Sequence, residues 1–156
     1  MNIESFLKQH QNFWDLELDD MTQGKVEEII AFLKEKICEF PYSTSFYVHL
    51  GDVAKMCHFR GFTGDIQEAQ YYYEKAIELD PLCYQAYEGL ASILDVEGKL
   101  EDSKKLYEVA YILTNDMWVA LGFAKILIQL DQRDEAQKII NDAKKTVKNG
   151  KNVFQR

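Results

Sequence analysis

The sequence has 156 residues, enough for one domain, because a chain of this size buries roughly 70% of the surface that it exposes when unfolded. Hydrophobic residues make up 47% and charged residues 28%, which is typical of a globular protein. No apolar run approaches the roughly 18 residues that a membrane helix requires, so the composition argues against a membrane protein.

The net charge of −8 is spread unevenly along the chain. Residues 1–116 contain 10 Lys and Arg against 22 Asp and Glu, whereas residues 117–156 contain 8 against 4. An acidic body argues against nonspecific nucleic-acid binding, which depends on Lys and Arg to neutralise phosphates. It leaves basic protein segments as candidate partners; the alternative is an acidic surface that only maintains solubility.

The N-terminal stretch MNIESFLKQHQNFW lacks the basic start, the continuous apolar segment and the cleavage site of a signal peptide. The three cysteines, Cys38, Cys57 and Cys83, are odd in number and widely spaced. This pattern is typical of reduced thiols and not of a disulfide framework. We therefore expect a cytoplasmic protein.

Four stretches of equal length share one pattern, at 24–41, 64–81, 98–115 and 131–148. Three begin with glycine, two end with proline, and all carry apolar residues at the i, i+3, i+4 spacing of an amphipathic helix. Gly64 and Gly98 are about 34 residues apart, and Asp131 follows after nearly the same interval, a period that predicts a stacked array of helical repeats.

A second helix precedes each of the last three stretches, at 47–56, 87–98 and 120–130. Each contains a bulky apolar residue followed directly by a small one: Leu50-Gly51, Leu90-Ala91 and Phe123-Ala124. A small side chain lets two antiparallel helices approach closely, and the bulky neighbour fills the remaining space. The sequence therefore predicts pairs of closely packed helices.

With this pattern the chain resembles the tetratricopeptide repeat family, whose unit is a helix–turn–helix of about 34 residues. Residues that match the family pattern occur in successive copies: Tyr47, Leu50, Gly51, Ala69, Tyr73, Ala76 and Pro81; Tyr87, Leu90, Ala91, Gly98, Tyr107 and Ala110; Ala120, Phe123, Ala124, Ala136, Ile140 and Ala143. A degenerate first copy runs through Phe13, Leu16, Gly24, Ile29, Leu33 and Pro41, and departs from the pattern at Glu17 and Ile29.

The resemblance implies an all-α, right-handed solenoid of about eight helices. The copies would span about 10–43, 44–83, 84–116 and 117–148 within one domain of residues 1–148, followed by a C-terminal tail at 149–156. Because terminal repeats of such arrays need caps, we expect the apolar N-terminal helix to cap the solenoid, and the protein to be a monomer or a weak homodimer.

In this family the first helix of each pair lines a concave groove. The matching positions here are Val48, Asp52, Lys55, Met56, Gln85, Glu88, Ser92, Asp95, Trp118, Leu121, Lys125 and Gln129, with Ser45 beside them and Trp14, Leu18 and Met21 in the first copy. Both tryptophans could instead be packing residues. Val48, Asp52, Gly89 and Ser92 stand where the repeats that bind the C-terminus of heat-shock chaperones place Lys and Asn, so that carboxylate clamp is excluded.

The groove mixes apolar and acidic residues, which favours a protein or peptide partner with apolar anchors and some basic character. We expect an adaptor or scaffold. The alternative is a small acidic chaperone for an unfolded partner, similar to the chaperones of type III secretion translocators; short repeat proteins that neutralise toxins are also compatible.

Catalytic and metal-binding patterns are absent from the sequence. His10, His49 and His58 lie on separate stretches or at their ends, and no two cysteines are close together in the chain. A zinc site needs three or four ligands, usually in closely spaced pairs. No P-loop, dinucleotide-binding or GxSxG motif occurs. We expect neither an enzyme, nor a cofactor, nor a metal.

Two local features carry further expectations. The three tyrosines at 71–73 point about 100° apart on a helix, so we expect Tyr73 in the core, Tyr72 against a neighbouring helix and Tyr71 exposed. The second copy is longer than the third, because the stretch from Leu50 to Ala69 exceeds the equivalent stretch from Leu90 to Ser103 by six positions. The extra residues should lengthen the first helix or the Gly61–Gly64 turn, and Phe59, Arg60 and Phe62 should project from that turn as a binding element or a tolerated insertion.

Overall fold

The computed structural model describes residues 22–62 and 64–149, and seven α-helices lie within them. We number them α1 (Gln23–Glu39), α2 (Thr44–Phe59), α3 (Ile66–Leu79), α4 (Tyr84–Val96), α5 (Leu100–Thr114), α6 (Met117–Gln129) and α7 (Arg133–Lys148). This part of the chain has no strand. The predicted first helix of the first copy falls outside the described residues, as do its groove positions Trp14, Leu18 and Met21.

Helices that follow one another pack as pairs: α2 on α3, α4 on α5, and α6 on α7. Each pair also packs on the next, through α3 with α4 and α5 with α6, while α1 packs on α2. The first helices of the pairs, α2, α4 and α6, contact one another in that order. Because each repeat contacts only its neighbours, this arrangement is an α-solenoid, and the predicted fold class is confirmed.

Side-chain oxygens and turns determine where the helices begin and end. The Asp65 carboxylate accepts a hydrogen bond from the Gln67 N–H, and Asp116 accepts from the first turn of α6, so both satisfy amides that a helix N-terminus leaves unpaired. Asn115, which stands where two other copies have proline, adopts the left-handed conformation and ends α5.

Equivalent hydrogen bonds connect the two proline turns to the helices that follow them. The Tyr47 hydroxyl donates to the Pro41 carbonyl at 3.2 Å, and the Tyr87 hydroxyl donates to the Pro81 carbonyl at 3.1 Å. The carbonyl before each helix is thereby paired. The repeated bond thus connects each proline turn to the helix that follows it.

Tyr73 of α3 is completely buried, and its ring fills the space between two glycines. A Cβ atom placed on Gly51 of α2 or on Gly89 of α4 would overlap that ring. A similar arrangement occurs one repeat later, where a Cβ atom on Gly122 of α6 would overlap the ring of Tyr107. The glycines therefore allow a tyrosine of one repeat to wedge against the first helix of the next.

The three adjacent tyrosines behave as predicted. Tyr73 lies in the core, Tyr72 is partly buried against two core clusters, and Tyr71 is exposed. The helical twist separates them, so they do not form one aromatic platform.

The six extra residues of the second repeat are shared between the helix and the turn. Helix α2 has 16 residues, whereas α4 and α6 have 13 each. Six residues separate α2 from α3, whereas three separate α4 from α5. The two expected alternatives, a longer helix and a longer turn, thus both occur.

One expectation about this turn is wrong. Phe62 does not project from it: the side chain is partly buried against the core cluster of α1 and α2, and its N–H donates to the Cys57 carbonyl at 2.9 Å. Apolar side chains near a core gain by turning inward. Phe59 and Arg60 are exposed, as expected.

The tyrosine wedge makes a testable prediction. We expect Gly89→Ala to lower the free energy of unfolding by about 1–3 kcal/mol, because the added methyl group overpacks the Tyr73 ring. Because alanine favours a helix by about 1 kcal/mol over glycine, the measured loss of unfolding free energy is a lower limit for the destabilisation that the overlap causes. Chemical denaturation measures it. Gly24→Ala is the matched control, since no atom lies within 4 Å of its added Cβ, and it should not destabilise the protein. Equal effects of the two substitutions would contradict the wedge.

Candidate binding groove

The predicted groove positions lie on α2, α4 and α6, the three first helices that run side by side. We call the face formed by these positions the groove. The structure orders them along three neighbouring helices: Val48, Asp52, Lys55 and Met56 on α2; Gln85, Glu88, Ser92 and Asp95 on α4; Trp118, Leu121, Lys125 and Gln129 on α6.

Polar side chains of the groove bond across the gaps between helices. The Lys55 ammonium of α2 donates to Ser92 Oγ of α4 at 3.0 Å. Asp95 of α4 pairs with two residues of α6: Lys125 Nζ lies 2.6 Å from Oδ2, and Gln129 Nε2 donates to Oδ1 at 3.1 Å. These bonds hold the polar atoms of the groove in fixed places before any partner binds.

Tyr73 reaches the groove from behind. Its hydroxyl donates to Asp52 Oδ1 at 2.6 Å, a short bond of the charge-assisted kind, and the Lys55 ammonium lies 5.7 Å from the centre of its ring. Sequence reasoning placed Tyr73 in the core alone. The glycines on the facing helices are the signal for its position, because they mark where a ring passes between backbones.

Two predicted positions on α2 are less accessible than expected. Val48 is only 7% exposed and packs in the core with Tyr47 and Ala69, so its assignment as a groove-lining residue is corrected. Met56 is partly buried against the core cluster of α1 and α2. Burial removes Val48 from the surface that a partner could contact, whereas part of the Met56 side chain remains accessible.

The last helix of the groove exposes large apolar side chains. Trp118 is 51% exposed and Leu121 is 46% exposed, one turn apart on α6, so Trp118 is not a buried packing residue. Ile128, which sequence reasoning did not select, is 52% exposed. Together with Asp95, Ala124, Lys125, Gln129 and Ile140, Leu121 and Ile128 line an open cavity of about 520 Å³.

Burial favours the neutral forms of Cys57, Cys83 and His49. Burial raises the pKa of the Cys57 and Cys83 thiols, so both remain protonated, and the Cys83 thiol lies 3.7 Å from Gln85 Oε1. Burial also lowers the pKa of His49, against the opposing charge of Asp52. Within residues 22–62 and 64–149, no three His, Cys, Asp or Glu side chains are grouped so that they could hold a metal ion.

The described helices also bear on the membrane question. None of them, in the portion of the chain that the structure covers, is long and apolar enough to cross a membrane.

The pattern of the helices and of the groove defines a class of protein. Residues 58–81 match the tetratricopeptide repeat family, and the described helices share the fold of solved tetratricopeptide proteins, as the sequence predicts.

Particular structures show how far the likeness extends. Two structures of MamA superpose with TM-scores of 0.68 and 0.65 at 21% and 23% identity, covering 96% and 99% of this chain and 80% and 78% of theirs. YrrB, described as a tetratricopeptide protein with an unusual peptide-binding site, superposes with a TM-score of 0.60 at 20% identity over 71% of this chain. This chain covers 55% of YrrB. At such identities the likeness concerns the fold. No curated protein matches this chain in sequence.

The lowered pKa of His49 makes stability depend on pH. In the unfolded chain the imidazole titrates near its ordinary value of 6.5, so below about pH 6.5 the unfolded state binds the proton more readily than the folded state. The contribution of neutral His49 to the free energy of unfolding is therefore fully present above about pH 6.5, and it is lost as the pH falls below that value.

We expect His49→Gln to reduce the loss of unfolding free energy between pH 7 and pH 5, measured by urea denaturation at each pH. His58→Gln, at an exposed histidine of the same helix, is the control and should leave the loss as it is in the unaltered protein. If both variants show the full loss, burial of His49 is not its cause.

Proposed function

We propose that the protein is an interaction module, an adaptor or scaffold, that binds an extended or helical segment of a protein partner in the groove. Binding is stoichiometric and involves no covalent change. The proposal includes a cytoplasmic setting, in which free thiols such as those of the buried Cys57 and Cys83 stay reduced.

One observation carries this proposal: an exposed apolar pair stands beside a fixed polar cluster. Trp118 and Leu121 project from adjacent turns of α6. Asp95 borders the same open cavity as Leu121, and both of its carboxylate oxygens are held, by Lys125 and Gln129. Partner segments bind where large apolar anchors are flanked by oriented polar groups. Since the polar cluster is already ordered, binding costs little additional side-chain entropy.

Charge favours a partner segment with some basic residues. Three of the groove positions are acidic and two are lysines, and the rest of the chain up to residue 116 is strongly acidic. A basic segment is attracted by this field before contact. The description of YrrB supports a peptide as ligand, because that protein has a similar fold and a peptide-binding site.

Recovery of a partner from an extract of the native source tests the groove. We expect Trp118→Ala combined with Glu88→Lys to reduce partner recovery at least tenfold, because the pair removes an anchor and reverses a charge, a loss of about 1.4 kcal/mol or more. Tyr42→Ala, at an exposed aromatic residue outside the groove, is the matched control and should retain recovery.

Circular dichroism of both variants checks that they remain folded. Unchanged recovery by the folded double variant would refute the groove assignment. Limited proteolysis of the recovered complex then separates the two roles: a partner that is protease-resistant on its own indicates a scaffold, and one that is protected only in the complex indicates a chaperone.

A further inference from the structure

A second apolar surface lies at the end of the described solenoid. Leu121, Ala124 and Ile128 of α6 and Ile140 of α7 border the open cavity of about 520 Å³. We call these four residues the terminal face. In residues 22–62 and 64–149, no helix covers it.

The repeat register shows what this surface does elsewhere in the molecule. One repeat earlier, the equivalent positions are Glu88, Ala91, Asp95 and Tyr107. Helix α6 covers that surface: Lys125 and Gln129 bond to Asp95, and Gly122 lies against the Tyr107 ring. Each repeat thus receives the next helix on these positions, and the terminal face is the same surface one repeat later.

Its residue types are unlike those of a solvent-exposed cap. The equivalent surface of α4 and α5 has the acidic residues Glu88 and Asp95. At the same positions the terminal face has Leu121 and Ile128, each about half exposed. The outer face of a terminal repeat is polar when it only meets water. Aliphatic residues at these positions instead mark a surface that a partner covers.

Side-chain size indicates what the occupant presents. Tyr73 and Tyr107 leave room only for glycine, at Gly89 and Gly122. In the first described repeat, Leu33 takes the tyrosine position, and the residue equivalent to Gly89 is His49. A shorter side chain is thus followed by a larger one on the next helix. Ile140 is also shorter than tyrosine, so the occupant has space for a bulky apolar residue.

Charge indicates the flanks of the occupant. Lys144 and Lys148 follow Ile140 at i+4 and i+8, on the same side of α7, and neither forms an ion pair with a described residue. One repeat earlier, the position of Lys144 is occupied by Tyr111, whose ring centre lies 6.0 Å from that of Phe123 of α6, so this position faces the next helix. The lysines beside the terminal face match acidic residues on the occupant.

We propose that the terminal face binds an acidic amphipathic helix of a partner protein. The helix lies on α6 and α7 as α6 lies on α4 and α5, places a bulky apolar residue over Ile140, and directs acidic residues to Lys144 and Lys148. This site is separate from the binding of a segment in the groove, although Leu121 belongs to both surfaces.

Synthetic helices test the proposal without knowledge of the natural partner. The first probe is a fluorescent peptide of about 18 residues with leucines at i, i+3, i+4 and i+7 spacing and glutamates on both flanks; the second has lysines in place of the glutamates. Both probes are measured on the Trp118→Ala, Glu88→Lys protein, in which binding of the basic probe in the groove is disabled. In this background we expect the acidic probe to bind about tenfold or more tightly than the basic one by fluorescence anisotropy. Lys144→Glu with Lys148→Glu should abolish that preference.

Two further variants separate specific from general apolar binding. Ile128→Glu should weaken the acidic probe at least about tenfold, because it places a carboxylate against the apolar face of the helix. Ile112→Glu is the matched control: this isoleucine of α5 is 72% exposed and lies outside the terminal face, so binding should not change.

The size of residue 140 provides an independent readout. A third probe carries alanine in place of the central leucine. The unaltered protein should prefer the leucine probe, and Ile140→Tyr should remove or invert that preference, because tyrosine at this position leaves no room for a bulky residue.

Four results would overturn the proposal. They are equal binding of acidic and basic probes, equal effects of Ile128→Glu and Ile112→Glu, self-association of the protein that Ile128→Glu abolishes, and tighter probe binding after removal of residues 150–156. The third would assign the terminal face to a second copy of the chain, and the fourth to the chain's own C-terminal segment.

Discussion

The wedge of Tyr73 between Gly51 and Gly89 is the contact on which the rest of the molecule depends. Its ring joins two repeats, since it packs on the first helix of its own repeat and on the first helix of the next. Its hydroxyl orients Asp52 in the groove. Tyr73 therefore holds the repeats together and also positions a side chain of the candidate site. A change in the packing of Tyr73 would shift Asp52 at the binding surface.

The groove changes character along the solenoid. Between α2 and α4 it is fixed by Lys55 and Ser92, and between α4 and α6 by Asp95 with Lys125 and Gln129. On α6 it becomes more apolar, with Trp118 and Leu121 exposed. A preformed polar section favours orientation, and an apolar section favours affinity, so the two ends of the groove suit different parts of one partner or two different partners.

Much of this could be predicted from residue patterns, because the spacing of small, aromatic and proline residues repeats. The helix pairs, the six extra residues of the second repeat and the separate environments of the three tyrosines all follow from that spacing. Val48 and Phe62 could not be placed this way. Repeat position indicates which side of a helix a residue occupies, but how much of it is covered depends on the neighbouring helix. In this chain Val48 is buried in a cluster with residues of α3 and α4, and Phe62 packs against the core cluster of α1 and α2.

By itself, the sequence determined the class of protein: the period, the glycines and the tyrosines specify stacked helix pairs, since only small residues admit a ring between close backbones. The tertiary structure alone decided which groove residues pair with each other and which apolar residues remain uncovered. Pairing of Asp95 with Lys125, on the next first helix, and exposure of Ile128 depend on distances between helices, and local periodicity carries no information about those distances.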